Sequence, residues 1–445
     1  MNFSYQNILV IGLARSGLAA IKVLHKLGVK KITLTEQKTP ENLDELKEYG
    51  VTFVAQSDEV FEEDYDLVIK NPGISPLKDF VIALRERKIP VITEAELAFL
   101  VAKPQHYLAI TGTNGKTTTT TLVYEMLKKA YGNLAHVAGN IGKPLCEVVV
   151  DENLLEEEGH YIALELSQGQ LIDMFDFHPE VSTIINLTPD HIDFMGSLEN
   201  YYASKTRIYQ NTQKEDYFIL NKDDEEVKKY IQKYPLPCSS ISFSLENKEA
   251  DAYIENGYLV KDGKAFLDLA KVTLPGKHNI QNIMIASLMC MCVGVKEEDI
   301  QDVVYHFSGV EHRIEFVKEI DGVKYYNDSK ATNTDATITA LKAFEKGVFL
   351  LVGGFEKGLA MDEVKKYLAP VKKVIGYGAS GKRIAHDLVG EDAIVVNDLQ
   401  EAILCAKELA MKGDVVLLSP TTSSFDQYTS FEERGKHFKR IVESL

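Results

Sequence analysis

Residues 109–118 read Ala-Ile-Thr-Gly-Thr-Asn-Gly-Lys-Thr-Thr. Glycine backbone lets N–H groups converge on phosphate oxygens, and a following helix adds its positive end. In such a cradle Lys116 would reach the outer phosphates and Thr117 would set its hydroxyl on Mg²⁺, with Gly112, Thr113, Asn114, Gly115 and Thr118 forming the wall. The stretch departs from the generic phosphate loop, which wants a glycine where Ile110 stands. The plainer alternative is a glycine-rich turn with a solvated lysine. An apolar run at 107–110 reads as a buried strand, and 119–129 puts Leu122 and Met126 on one helical face, so the loop is flanked as a phosphate cradle requires. A bound nucleotide is the first expectation.

Other candidate residues stand at the ends of apolar runs. Glu165 closes the strand-like run 161–166, and Asp190-His191-Ile192-Asp193 follows the run 181–187. An acid and a His-Asp pair at strand ends near a phosphate loop is where metal ligands for a nucleotide would stand. A helix-capping glutamate and a hydrogen-bonded structural histidine are the alternatives. Asn140-Ile-Gly follows the loop helix, and Lys205 lies in a helical stretch, 201–209.

The elements that must position these residues alternate along the chain. Strand 7–11 leads to Gly12-Leu-Ala-Arg15-Ser16-Gly17, a helix over 18–27, and strand 31–35 ending at Glu36. This is a βαβ unit with a dinucleotide-like fingerprint in which Ala14 replaces the second glycine, the one that admits a pyrophosphate. An NAD site, a Rossmann-like domain for another diphosphate nucleotide, and a structural strand–turn–helix all fit that fingerprint. Strand 65–70 runs into Asn71-Pro72-Gly73-Ile74, a rigid turn at a strand's carboxyl end, where open α/β sheets bind ligands. Helix 81–87 and strand 90–92 follow, and Lys103-Pro104 breaks the alternation. Pieces of strand with Asn-Gly and Asp-Gly turns over 248–274 predict an antiparallel edge. His278-Asn279 opens a helix at 280–293, and Glu311-His312-Arg313 closes the region. Strands 323–327, 348–352, 373–377, 393–396 and 414–418 alternate with helices to the end. The whole predicts an α/β protein of three domains: a Rossmann-like N-terminal domain over 1–102, a central P-loop ATPase-like domain with a mostly parallel sheet over 103–310, and a Rossmann-like C-terminal domain over 311–445.

The 445 residues carry a formal net charge of −17, with 45% hydrophobic and 26% charged residues. That balance argues against a nucleic-acid or anionic-membrane partner, since both need an extended basic surface. The five cysteines show no C-x-x-C spacing and read as thiols in a reducing compartment. No apolar run approaches the ~20 residues of a membrane span, and a strand beginning at residue 7 leaves no signal peptide. A cytoplasmic, monomeric protein acting on small molecules is expected.

Eight motifs in order carry a resemblance: Gly-Thr-Asn-Gly-Lys-Thr-Thr (112–118), Gly-Asn-Ile-Gly (139–142), Leu-Glu-Leu-Ser (164–167), Asn-Leu-Thr-Pro-Asp-His-Ile-Asp (186–193), His-Asn (278–279), Glu-His-Arg (311–313), Asn-Asp-Ser-Lys-Ala-Thr-Asn (327–333) and Leu-Ser-Pro (418–420). Together with the closing Phe-Glu-Glu-Arg-Gly (431–435), they make the chain resemble the Mur ligases of bacterial cell-wall synthesis over essentially its whole length. The resemblance implies an ATP-dependent amide ligase working through an acyl phosphate. Arg15, Ser16, Glu36, Asn71, Gly73 and Asn140 would hold a UDP-linked substrate, although Thr35-Glu36-Gln37 replaces the Asp-Thr-Arg of some relatives and leaves the base contacts open. Asn279 would meet adenine, Arg313 the γ-phosphate and Asp328 the ribose of ATP. Thr117, Glu165, His191 and Lys205, the last as a carbamate derived from CO₂, would hold two Mg²⁺ ions. Lys116, Asn140, His191, Lys205 and Arg313 would form the catalytic set.

Lys330, Thr332, Lys357, Ser424, Phe425 and Phe431 would surround the incoming amino acid. Cation and hydroxyl donors suit a dicarboxylate, and the Asp-Asn-Pro-type loop of a diamino-acid adder is missing from the sequence. These loops argue for glutamate, and the resemblance implies its D form, with UDP-N-acetylmuramoyl-L-alanine as the acceptor. Other members of the family, including folylpolyglutamate synthase, are the same-class alternatives. A P-loop switch would need a separate Walker B strand and effector surfaces. A dehydrogenase fails on Ala14 and on the Gly-Lys-Thr loop.

Overall fold

The computed structural model describes residues 4–40, 43–190 and 192–445. His191, a candidate metal ligand, therefore lies outside the described residues. The chain divides into two compact units, residues 1–270 with 281–304 and residues 271–280 with 305–445.

The first unit holds two sheets. Strands β1 (Asn7–Ile11), β2 (Lys31–Glu36), β3 (Val51–Ala55), β4 (Leu67–Lys70) and β5 (Val91–Ile92) form an all-parallel sheet in the order β3-β2-β1-β4-β5. Parallel strands are covered on both faces and so read as continuous apolar runs. Ile8, Leu9 and Val10 are accordingly fully buried. The order reverses between β1 and β4, so the carboxyl ends of those strands, at Gly12 and Asn71, open the crevice where such sheets bind ligands.

The first helix, Ala14–Lys26, starts four residues before the apolar pattern does, placing Arg15 and Ser16 in its first turn. Gly17 is the reason. A Cβ there would fall on the carbonyl oxygen of Gly12, so this glycine lets the helix press against the strand and does not delay its start.

Strands β6 (His106–Thr111), β7 (Ala135–Gly139), β8 (Tyr161–Glu165), β9 (Val181–Ile184), β10 (Tyr217–Asn221), β11 (Ser239–Phe243), β12 (Ala252–Glu255), β13 (Tyr258–Lys261) and β14 (Lys264–Asp268) form the second sheet, ordered β14-β13-β12-β11-β10-β9-β6-β8-β7. The β12–β14 edge is antiparallel, as the turns predict. Asn256 and Asp262 adopt left-handed φ of 51° and 49° ahead of their glycines. The pattern gave no element between 210 and 247, yet β10, β11 and the helix Glu225–Lys233 lie there. Strand β11 opens Ser-Ser with both residues exposed, which hides its period.

Buried charge joins the two sheets of this unit. Lys70, ending β4, lies 3.2 Å from Asp173, both side chains fully buried, and Arg85 pairs with the other oxygen of that carboxylate. Lys70 also donates to the carbonyl of Ile74 at 2.8 Å, tying the 71–74 turn to the pair.

In the second unit, β15 (Glu315–Ile320), β16 (Val323–Asn327), β17 (Val348–Gly353), β18 (Val371–Tyr377), β19 (Ile394–Val395) and β20 (Val415–Leu418) are ordered β15-β16-β20-β17-β18-β19, parallel except for the β15–β16 hairpin. Among the described residues no helix is long and apolar enough to cross a membrane.

Candidate active site

Strand β6 lies between β8 and β9, with β7 outside β8. Four neighbouring carboxyl ends therefore deliver the 112–115 loop, Asn140, Glu165 and the 186–188 segment to one edge. In register, Ile110 and Gly139 both stand opposite Glu165, and Thr111 stands opposite Ile184.

The loop is held open by its surroundings. The Thr113 N–H donates to the carbonyl of Asn186 at 3.1 Å, and the Asn114 N–H to the Asn186 side chain at 2.9 Å. Gly115 adopts φ of 83°, and a Cβ there would meet Asn282 Oδ1 at 2.5 Å. The helix Lys116–Tyr131 begins directly after it, so Thr117 and Thr118 sit in a first turn whose N–H groups have no intrahelical partner.

Two ammonium groups converge on one loop oxygen. Lys116 Nζ donates to the carbonyls of Gly112 at 2.9 Å and Thr113 at 2.7 Å, and Lys205 Nζ donates to Gly112 at 3.0 Å. Lys205 reaches in from the helix Leu198–Thr206, fully buried, with its nitrogen 4.6 Å from the Tyr201 ring centre. Burial, with a smaller push from Lys116, lowers its pKa to about 7 against the pull of Asp190. Tyr201 in turn donates to the Thr113 hydroxyl at 3.2 Å.

Glu165 is 1% exposed. Its Oε1 accepts from the Asn140 side chain at 2.9 Å, while Oε2 is buried without a hydrogen-bond partner. Among the described residues no group of three or more His, Cys, Asp or Glu is placed to hold a metal. Mg²⁺ takes one or two carboxylates and fills its shell with phosphates and water. An orphaned carboxylate oxygen beside a phosphate-type loop has the right donor chemistry for that ion.

At the first sheet's crevice a cavity of about 380 Å³ is lined by Gly12, Glu36, Gly73, Ser75 and Phe194 among others. The Glu36 carboxylate accepts from the N–H groups of Leu13 at 3.0 Å and Gln37 at 2.9 Å, so it braces the turn after β1. Asn71 donates to the Ser16 hydroxyl at 3.1 Å and accepts from the Gly73 N–H at 2.9 Å. Arg15 leaves this cluster and donates to the Gly142 carbonyl at 2.5 Å, next to the Asn140 loop.

The second unit gathers the other candidates. Asp328 is buried, accepting from the Ser419 hydroxyl at 2.8 Å and the Ile314 N–H at 3.2 Å, and burial pushes its pKa up to about 7. Its neighbour in the turn, Arg313, stands between His312 and Ile314, whose φ values of 65° and 45° are left-handed. Lys330 Nζ lies 5.7 Å from the Phe431 ring centre, and Lys357 donates to the Thr332 carbonyl at 3.4 Å. Ser424 Oγ is buried without a partner, while Phe425 is 66% exposed. Asn279 donates to the Pro275 carbonyl at 2.7 Å.

Sequence profiles match along the chain: a Mur ligase MurD-like N-terminal domain at residues 6–93, a Mur ligase middle domain at 110–290, and a Mur ligase glutamate ligase domain at 312–422. The UDP-N-acetylmuramoylalanine--D-glutamate ligase of Geobacillus sp. (strain WCH70) is 40% identical, with 100% of this chain and 98% of that protein covered. The chain belongs to the Mur ligase family. The ligase of the same name from Thermoanaerobacter pseudethanolicus is also 40% identical, with both chains covered in full. Among solved Mur ligases, UDP-N-acetylmuramate-alanine ligase from Thermotoga maritima shares the fold at 20% identity and a TM-score of 0.55, covering 99% of this chain and 100% of that one. A UDP-N-acetylmuramoyl-L-alanyl-D-glutamate--2,6-diaminopimelate ligase does so at 18% identity and a TM-score of 0.58, covering 93% and 92%.

Sequence reasoning gave no individual role to several residues that shape this Mur ligase's loops, although Asn186, Thr188 and Arg434 lie within its motifs. Asn186, Thr188, Tyr201 and Asn282 bracket the phosphate loop, and Arg434 is buried with bonds to Ser329 and Thr422. The 186–193 motif already held Asn186 and Thr188, whereas nothing in the sequence pointed to the loop contacts of Tyr201 and Asn282.

Proposed function

We propose that this Mur ligase joins D-glutamate to UDP-N-acetylmuramoyl-L-alanine, converting ATP to ADP and phosphate by way of an acyl phosphate. The observation that carries the reading is the meeting at one sheet edge of the Lys116 loop, the unsatisfied Glu165 oxygen and the buried Lys205. The names of the relatives that span the chain support the choice of substrates.

A carboxylate is a poor acylating agent. Its oxygen first attacks the γ-phosphorus while the bond to ADP breaks; the neutral amine nitrogen then attacks the acyl carbon, phosphate leaves and the nitrogen gives up a proton. Two anions must meet in the first step, so the work is largely electrostatic. Lys116 exchanges the Gly112 and Thr113 carbonyls for phosphate oxygens, and the first turn of its helix adds N–H donors. Thr117 and Glu165 offer oxygen ligands to Mg²⁺, which when bound spreads the phosphate charge.

Lys205 takes part after reaction with CO₂. Its neutral amine would form an N–C bond to CO₂ with release of a proton, and the resulting carbamate would supply two hard oxygens to a second Mg²⁺. His191 keeps the metal role that the resemblance gives it. In the second unit Lys330, Lys357, Thr332 and Ser424 supply donors for a dicarboxylic amino acid. On this reading residues 1–102, 103–310 and 311–445 act as the UDP-substrate, ATP and amino-acid domains.

The test is a panel. The enzyme receives ATP, Mg²⁺ and UDP-N-acetylmuramoyl-L-alanine, then D-glutamate, L-glutamate, L-alanine, L-lysine or meso-diaminopimelate separately, with ADP release measured. D-Glutamate should be preferred, and preference for any other amino acid overturns the assignment.

A further inference from the structure

The first unit contains a second cavity, of about 720 Å³, that none of the proposed chemistry uses. It shares walls with the working parts of the unit. Ser75 and Phe194 line the 380 Å³ crevice cavity, while their chain neighbours Pro76, Leu77 and Met195 line the larger one. The partition is stitched by the Ser75 hydroxyl, which donates to the Phe194 carbonyl at 2.8 Å. It is also tight, because a Cβ on Gly196 would lie 2.9 Å from Leu77 Cδ1. Likewise Ser204 and Thr206 line this cavity, whereas Lys205 between them donates to Gly112.

The lining has one sign of charge. Arg85, Arg207 and Lys233 contribute cations, and among the described residues no Asp or Glu lines the cavity, in a chain with 66 acidic residues against 49 basic ones. Arg85 pairs with Asp173, and Lys233 with Glu199. Arg207 is anchored through the carbonyls of Leu171 at 2.9 Å and Met174 at 2.6 Å. The remaining wall is largely apolar, including Ile172, Met195, Tyr234 and Pro235. Cavities of 300–1,000 Å³ with an apolar wall and a few placed polar groups are the usual form of a small-molecule site.

We propose that this cavity binds a small amphipathic organic anion, a ring-bearing body with one carboxylate, sulfonate or phosphate group. We further propose that its occupancy is coupled to the crevice cavity through the shared partition. A ligand against Leu77 and Met195 presses on the segments whose other neighbours, Ser75 and Phe194, face the crevice. Coupling of this kind is reciprocal, so a ligand in the crevice must change the affinity here by the same factor.

The probe is 8-anilinonaphthalene-1-sulfonate, followed by fluorescence on the full-length protein, with neutral N-phenyl-1-naphthylamine as the uncharged control. Saturable 1:1 binding is expected, at least tenfold tighter than the control. Ala203→Trp, which fills the cavity, should abolish it, and Lys233→Glu, on a half-exposed side chain, should weaken it at least threefold. Uridine monophosphate should shift the probe's affinity at least twofold without displacing it; this part rests on reading the crevice as the uridine-nucleotide site, whereas the binding itself does not.

Absence of saturable binding overturns the proposal, as does unchanged binding in a natively melting Ala203→Trp or full displacement by uridine monophosphate. Should Ala203→Trp fail to fold, an unchanged affinity in Lys233→Glu overturns it. Binding that meets every other criterion but is indifferent to uridine monophosphate removes the coupling and keeps the site.

Discussion

Lys116 and Lys205 donate to the same carbonyl oxygen, that of Gly112, at 2.9 and 3.0 Å. Burial drives Lys205 toward its neutral form, and the neighbouring Lys116 adds a smaller push in the same direction. The loop thus meets two lysines, of which Lys205 is the one inclined toward the neutral amine.

Lys116→Ala should lower ATP turnover by about 10²–10³-fold, the scale of removing a preorganised charge-stabilising group. Binding of the UDP substrate should change little, because Gly12, Asn71 and Gly73 lie at the first sheet. ADP release and calorimetric titration of the UDP substrate separate the two effects.

For Lys205, activity in CO₂-depleted buffer should fall and recover on adding bicarbonate. With a pKa of about 7 the neutral amine gains population as pH rises through 7, so carbamate formation at fixed dissolved CO₂ should rise from pH 6 to pH 8. Lys205→Ala should lose most activity with ATP binding kept, and Lys205→Glu should recover part of it. A rate indifferent to CO₂ and pH over that window excludes the carbamate.

Glu94 sits in the core beside Cys146, accepting from its N–H at 3.1 Å, and burial raises its pKa from 4.5 to about 7. The folded state therefore keeps a proton that the unfolded state has released between those values. The stabilising contribution is full below 4.5 and is lost as pH rises through about 7. Glu94→Gln, which keeps the acceptor and cannot ionise, should gain about 1–3 kcal/mol relative to the parent between pH 5 and pH 8. Urea melts at the two pH values give the difference directly.

Asp173→Asn leaves Lys70 buried without a charge partner and should cost about 3–5 kcal/mol. The double variant Lys70→Met/Asp173→Leu should recover much of that loss. Chemical denaturation of the three variants reads it, and a double variant as unstable as the single one would show that the site needs its ions.

The phosphate loop was legible because an apolar strand and an amphipathic helix frame it in sequence. Its helix still starts three residues earlier than the pattern, at Lys116, because Lys-Thr-Thr has no apolar member to reveal a period. The bracket of Asn186 on Asn114 was not legible, since it joins residues 72 positions apart through side-chain geometry alone. Glu165 was found as a strand-end acid, but its orphaned oxygen depends on Asn140 taking the other, a pairing made by adjacent strands. Asp328 stood out by motif, whereas its burial against Ser419 required the parallel pairing of β16 with β20.

Arg434 gives the fold a tolerance of its own. Of its hydrogen-bond acceptors, the carbonyls of Ser329, Gly353 and Thr422 are main chain, and the Ser329 hydroxyl is a side chain. A fork that addresses peptide oxygens is blind to what the addressed residues carry. Drift at position 422 therefore leaves these bonds in place, whereas Arg434→Lys offers one point charge where a planar fork is needed. Gly354 is the exception beside it, since a Cβ there would fall 2.3 Å from the Ser423 carbonyl oxygen. Among descendants of this chain, substitutions should collect on the loops around the arginine long before they reach the arginine itself.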